Sequence, residues 1–127
     1  MRNIYYAITA AAMLFASCGN SEKAPAEYAE QYYNCLIAGN AEQFAEGIYS
    51  YSHLAPALRK EKVIIAKQYI KSQEKVNEGI KEVQILNDTI LPSGNDADVY
   101  LSLTFGNGKK ETVLVPMIKD GEEWKMK

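Results

Sequence analysis

Histidine and cysteine are scarce in this chain of 127 residues: His53 stands alone, and the two cysteines are Cys18 and Cys35. One histidine among scattered carboxylates offers no ligand set at zinc or calcium spacing, so no metal and no other cofactor is expected. Equally missing are a Gly-rich phosphate loop after a strand, a nucleophile elbow and a Cys-x-x-Cys pair, the commonest signatures of nucleotide, acyl-transfer and dithiol chemistry. A basic excess is absent too, since 14 Lys and Arg face 16 Asp and Glu for a net charge of −2. Nucleic acid, which asks for a clustered basic surface, is not an expected partner. The longest apolar run, residues 4–15, is about a dozen residues, short of the ~20 that a helix needs to span a bilayer core.

That short run nevertheless sits in a telling context. Arg2 gives it a charged start, and Ala16-Ser17 supplies the small residues a signal peptidase needs before its cut. Phe15-Ala16-Ser17-Cys18 resembles the processing site of bacterial lipoproteins, with Phe15 where the usual pattern has Leu or another aliphatic residue. The resemblance implies that the Cys18 thiol takes a diacylglycerol, that residues 1–17 are removed as a signal peptide, and that the new amino group is acylated. Several acyl chains make a stable tether where one holds only marginally. A membrane is therefore an expected partner through the lipidated N-terminus, and the expected location is the cell envelope, at the outer membrane facing the periplasm or the cell surface. An ordinary signal followed by an incidental cysteine is the alternative. With Cys18 acylated, Cys35 is the one free thiol, no intramolecular disulfide forms, and Cys35 reads as a small buried hydrophobe on a helical stripe.

The remaining 110 residues suit one domain. Residues 18–24 are small and polar and read as a flexible tether, with the folded domain spanning 25–127. Tyr28, Tyr32, Cys35 and Leu36 predict a first helix over 25–38, opened by Pro25 and closed by Gly39. Asn40 and Gln43 resemble a capping box for a second helix that continues through Ala41, Phe44, Ala45 and Ile48. A third helix is predicted over 57–78, with Leu58, Ile65, Tyr69 and Val76 on its buried side beside Val63, Ala66 and Ile70, and a solvated basic face opposite.

From Ile80 the apolar period changes to two. Val83 and Ile85 mark one strand, and Asn87-Asp88-Thr89 reads as a turn at its end. Ala97, Val99, Leu101, Leu103 and Phe105 mark a second strand, which Gly106-Asn107-Gly108 joins to a third. That third strand is apolar on both faces and reads as central and covered on both sides, although Pro116 asks for a bulge or an unpaired edge. Glu123 to Lys127 is the last strand. Together these elements predict an α+β fold: three N-terminal helices packed on a curved four-stranded antiparallel meander sheet.

The helices, the second helix Gly39-Asn40-Ala41-Glu42-Gln43-Phe44 and the closing Ile118-Lys119-Asp120-Gly121-Glu122-Glu123-Trp124-Lys125-Met126 resemble small bacterial lipoproteins of unknown function with the cone-shaped nuclear-transport-factor-like, or cystatin-like, fold. The resemblance implies a pocket between sheet and helices that binds small molecules or peptides in some relatives and catalyses isomerisation or dehydration in a few. Pocket candidates are Tyr32, Tyr51, His53, Tyr69, Tyr100 and Trp124. The leading expectation is a non-enzymatic binding or interaction module for a small ligand, peptide or envelope protein, with no catalytic residues. An isomerase-type alternative would place an acid–base carboxylate on the sheet against a helix phenol, Asp98 with Tyr32 or Tyr33, aided by His53. A third alternative is a homodimer joined through Leu114, Pro116 and Ile118, on the sheet face opposite Val113, Val115 and Met117.

Overall fold

A proline at the first helical position loses an amide that has no intrahelical partner anyway, and Pro25 starts α1 (Pro25–Ile37) in this way. The computed structural model describes residues 23–127, so the expected signal peptide (1–17), Cys18 and most of the expected tether (18–24) lie outside the described residues. Lys23 Nζ donates to Gln31 Oε1 at 2.7 Å and lies 4.6 Å from the centre of the Tyr28 ring. Ala26, Ala29, Tyr32 and Leu36 form the buried face of α1. Cys35 is half-buried at its edge and not in the core as expected; its thiol lies 3.6 Å from Gln43 Oε1, and burial raises its pKa.

Asn40 Oδ1 accepts from Gln43 N at 3.1 Å and caps the short helix α2 (Ala41–Glu46). This helix ends earlier than the sequence suggests. Gly47 closes it, and Ile48 turns extended to bridge Met126 of the last strand in parallel, while Met126 N donates to Gly47 O at 2.7 Å. A side chain at position 47 is excluded, because a Cβ there would lie 2.6 Å from the Tyr32 ring. A 3₁₀ turn (Tyr49–His53) then leads to α3 (Pro56–Asn77), which ends with Glu78 at φ 63° and Gly79 at φ 84°.

The sheet is a four-stranded antiparallel meander, β1 (Ile80–Ile90), β2 (Asp96–Phe105), β3 (Lys110–Asp120) and β4 (Glu123–Met126), in that spatial order. β2 alternates as its sequence demands, with Ala97, Val99, Leu101, Leu103 and Phe105 buried against α1. Val83, Val115, Met117, Trp124 and Met126 complete the inner face. Asn87-Asp88-Thr89 lies inside β1 and is not a turn: the strand bulges between Ile85 and Asn87 and continues to Ile90, bringing Asp88 Oδ2 within 3.2 Å of Ala26 N. Pro116 stands just past the end of β4. Its carbonyl accepts from Lys127 N, so the missing amide faces the side where the pairing stops, as an unpaired edge allows.

Two expectations about burial fail. β3 is flanked by β2 and β4, but its outer face is uncovered, with Leu114 50% exposed opposite Tyr100 at 37%. On α3 only Ala66 is buried, while Leu58, Ile64, Ile65, Tyr69 and Val76 stay exposed. The physical reason is placement: α3 leans chiefly on the short α2 and meets β1 less closely, so the stripe predicted to be buried looks into an open groove.

Candidate functional site

That groove is the most apolar concavity among the described residues. Tyr33 of α1, Phe44 of α2, Ile48, and Ile65 and Tyr69 of α3 line a space of about 340 Å³, with Lys62 at its rim. A second depression of about 230 Å³ shares Tyr33, Phe44 and Ile48 and extends the groove to Leu114, Pro116 and Met126. Both fall near the range of small-molecule sites, ~300–1,000 Å³. Tyr33 and Phe44 meet edge to face, ring centres 5.8 Å apart and planes at 88°, which fixes the floor of the groove.

Burial first, with the neighbouring Tyr69 and Glu111 adding to it, pushes the Tyr33 phenol up to about 12. Tyr69 is raised by the same causes, burial first and then Glu111. Glu111 stands opposite Leu103 in the β2–β3 register, so its charge enters from the sheet side. Both phenols therefore stay protonated at neutral pH, and they serve as hydrogen-bonding groups with no capacity to act as bases. Among the described residues neither hydroxyl has a hydrogen-bond partner, which leaves two polar handles in an apolar groove. No group of three or more His, Cys, Asp or Glu able to hold a metal occurs among the described residues.

The other candidates scatter. Tyr32, next to Tyr33 in sequence, points into the core and donates to Trp124 O at 2.7 Å, and burial lifts its pKa well above the usual phenol range. Trp124 is itself core, with Lys119 Nζ 5.7 Å from its ring centre. Tyr100 lies on the outer face of the sheet. Asp98, two residues away on that same face, pairs across the strands with Thr89 and Pro116, so the sheet separates it from Tyr32 and the proposed acid–base pair does not assemble. His53 is exposed on the 3₁₀ turn, tilted against Tyr49 with ring centres 4.7 Å apart. Tyr51 borders a shallower groove beside α3.

Arg59 carries no signal in the sequence pattern, yet it organises this end of the molecule. Its Nε donates to the carbonyls of Leu54 at 2.9 Å and Tyr51 at 3.1 Å, and one terminal nitrogen to Ser52 at 3.1 Å. One guanidinium thus satisfies three turn carbonyls and holds the 3₁₀ turn against α3. Tyr33, named from the sequence only as an alternative to Tyr32 in the acid–base pair, is distinguishable from it only once α1 is docked.

The chain's architecture is similar to that of a crystal structure from Campylobacter jejuni provisionally named an NTF2-like transpeptidase: TM-score 0.64, 16% identity, covering 82% of this chain and 97% of that one. No family model matches the chain, and no curated protein sequence does. The likeness establishes an NTF2-like α+β fold: three helices followed by a four-stranded antiparallel sheet.

Proposed function

We propose that this protein is a membrane-tethered binding module of the cell envelope, held by lipid on Cys18, whose groove takes an elongated apolar molecule with a hydrogen-bond-accepting or anionic end. The observation that carries the reading is the groove itself, where Tyr33, Phe44, Ile48 and Ile65 supply apolar walls while the Tyr33 and Tyr69 hydroxyls and Lys62 supply the polar end. An apolar ligand gains from leaving water along such walls, and the few polar groups orient it. A fluorescent naphthalene sulfonate, which has this combination of parts, tests it by titration. Wild-type protein binds the dye saturably, and Ile65→Glu, a change at a residue already 59% exposed, abolishes that binding without unfolding the protein. Equal binding by both proteins would remove the groove from the account.

A homodimer through the outer sheet face is supported as a second reading by Leu114, half exposed directly across from Tyr100. The extension of the groove reaches Leu114 and Pro116 of that face, so a dimer there would border the groove.

A further inference from the structure

Helix α3 carries six basic residues, Arg59, Lys60, Lys62, Lys67, Lys71 and Lys75, against Glu61 and Glu74. Of the chain's 14 Lys and Arg and 16 Asp and Glu, eight and 14 are left elsewhere, so a helix of charge +4 rides on a body of −6. Within the helix the charge is concentrated further. Lys60, Ile64, Lys67, Lys71 and Lys75 recur at spacings of four, three, four and four, which places them in one stripe about 22 Å long. All five are exposed, Ile64 at 51%, and the stripe turns away from buried Ala66.

The lysines of the stripe are Lys60, Lys67, Lys71 and Lys75. Among the described residues none of them is in an ion pair, and the i,i+4 neighbours Lys67 with Lys71 and Lys71 with Lys75 repel each other. Beside the stripe lies a groove of about 500 Å³ lined by Arg59, Lys60, Val63, Ile64 and Lys67 of α3 and by one acidic residue, Glu42 of α2. Arg59 is occupied by the turn carbonyls, so Lys60 and Lys67 are the ammonium groups this groove presents.

We propose that the α3 stripe docks the domain on an anionic phospholipid surface, with Lys60, Lys67, Lys71 and Lys75 meeting headgroup phosphates and Ile64 entering the boundary with the acyl chains. Charge complementarity argues for this occupant. A flat anionic surface engages a 22 Å row of lysines along its whole length, and it repels the −6 body, so both terms favour the same orientation. Ile64, exposed between Lys60 and Lys67, gives the stripe an apolar residue to bury at the boundary between headgroups and acyl chains. The docked face is distinct from the apolar groove, which stays open on the other side of the helix. The inference rests on the reading that the chain is held near a membrane, but the stripe does not depend on lipidation of Cys18.

Vesicle co-sedimentation separates the two claims. The whole core lies within 26–126, so a chain beginning at Lys23 folds and lacks the acylation site; it is mixed with phosphatidylcholine vesicles with or without phosphatidylglycerol. Binding is expected only to the anionic vesicles and weakens as salt is raised. Each lysine contributes about five-fold, so Lys60→Gln/Lys67→Gln/Lys71→Gln together lower the partition coefficient on the order of 100-fold. Ile64→Ser also weakens it, while Lys81→Gln and Lys109→Gln on the strands leave it unchanged. Equal partition into neutral vesicles overturns the proposal, as does wild-type binding by the triple variant. Soluble polyphosphate held as tightly as the vesicles would also overturn it, by showing a general polyanion site.

Discussion

Tyr32 and Tyr33 show how far one residue's position along a helix decides its chemistry. Tyr32 donates its hydroxyl to Trp124 O inside the core, and its ring occupies the space that a side chain at position 47 would need. Tyr32→Phe leaves a buried carbonyl unpaired and is expected to cost about 1–3 kcal/mol in thermal melts. Gly47→Ala forces the ring or the backbone to move and costs about as much by overpacking. Tyr33 titrates instead of packing as core. Its phenol, ordinarily near 10, is raised to about 12 in the folded protein, mainly by burial. The folded state therefore binds the proton more tightly, and the stabilisation that follows is complete below pH 10 and lost as pH rises through 12. Alkaline unfolding followed by circular dichroism should show a shallower loss over that window in Tyr33→Phe, and ultraviolet titration should lose one late phenolate. The sequence pattern placed Tyr32 on the apolar stripe of α1 and offered Tyr33 only as an alternative phenol. Which one faces the groove depends on the rotation of α1 against the sheet, and no local spacing encodes that.

At the scale of elements, β2 and α3 differ in how much their sequences reveal. β2 alternates without interruption because one face meets α1 and the other meets water, so period and burial agree. Leu101→Ala, at a position with no exposure, is expected to cost about 2–5 kcal/mol. α3 has an equally readable period, yet Leu58, Ile65, Tyr69 and Val76 are exposed, and Ile65 and Tyr69 face the groove and not the core. Apolar spacing states which residues share a face; it does not state whether a face meets core or ligand. Ile65→Glu should accordingly shift stability by no more than about 0.5 kcal/mol, the usual range for exposed positions, while eliminating dye binding. The end of α2 at Gly47 was hidden for a related reason, since Ile48 leaves the helical pattern to serve the edge of β4, a partner 78 residues downstream.

For the whole molecule, three surfaces divide the labour proposed for it: an apolar groove on one side of α3, a basic stripe on the other, and an uncovered outer sheet face. The α+β order and the meander were legible because each strand boundary carries turn chemistry, at Leu91 to Asn95 and at Gly106 to Gly108, and because helix and strand periods separate cleanly at Ile80. The functional surfaces were less legible, since each is defined by what fails to cover it. On the sheet face, Leu114→Lys should leave the melting temperature unchanged and, if this face joins two copies, convert a dimer to a monomer in analytical ultracentrifugation. At the N-terminus, Cys18→Ser should make membrane association in cell fractionation removable by high salt, since only the α3 stripe would then hold the protein. The groove remains the central claim, and native mass spectrometry tests it most directly on protein beginning at Lys23, exported to the periplasm and purified without detergent. The account predicts an additional mass on the wild-type chain that is lost on denaturation and absent from Ile65→Glu; a bare wild-type chain, or the same additional mass on both, would contradict it.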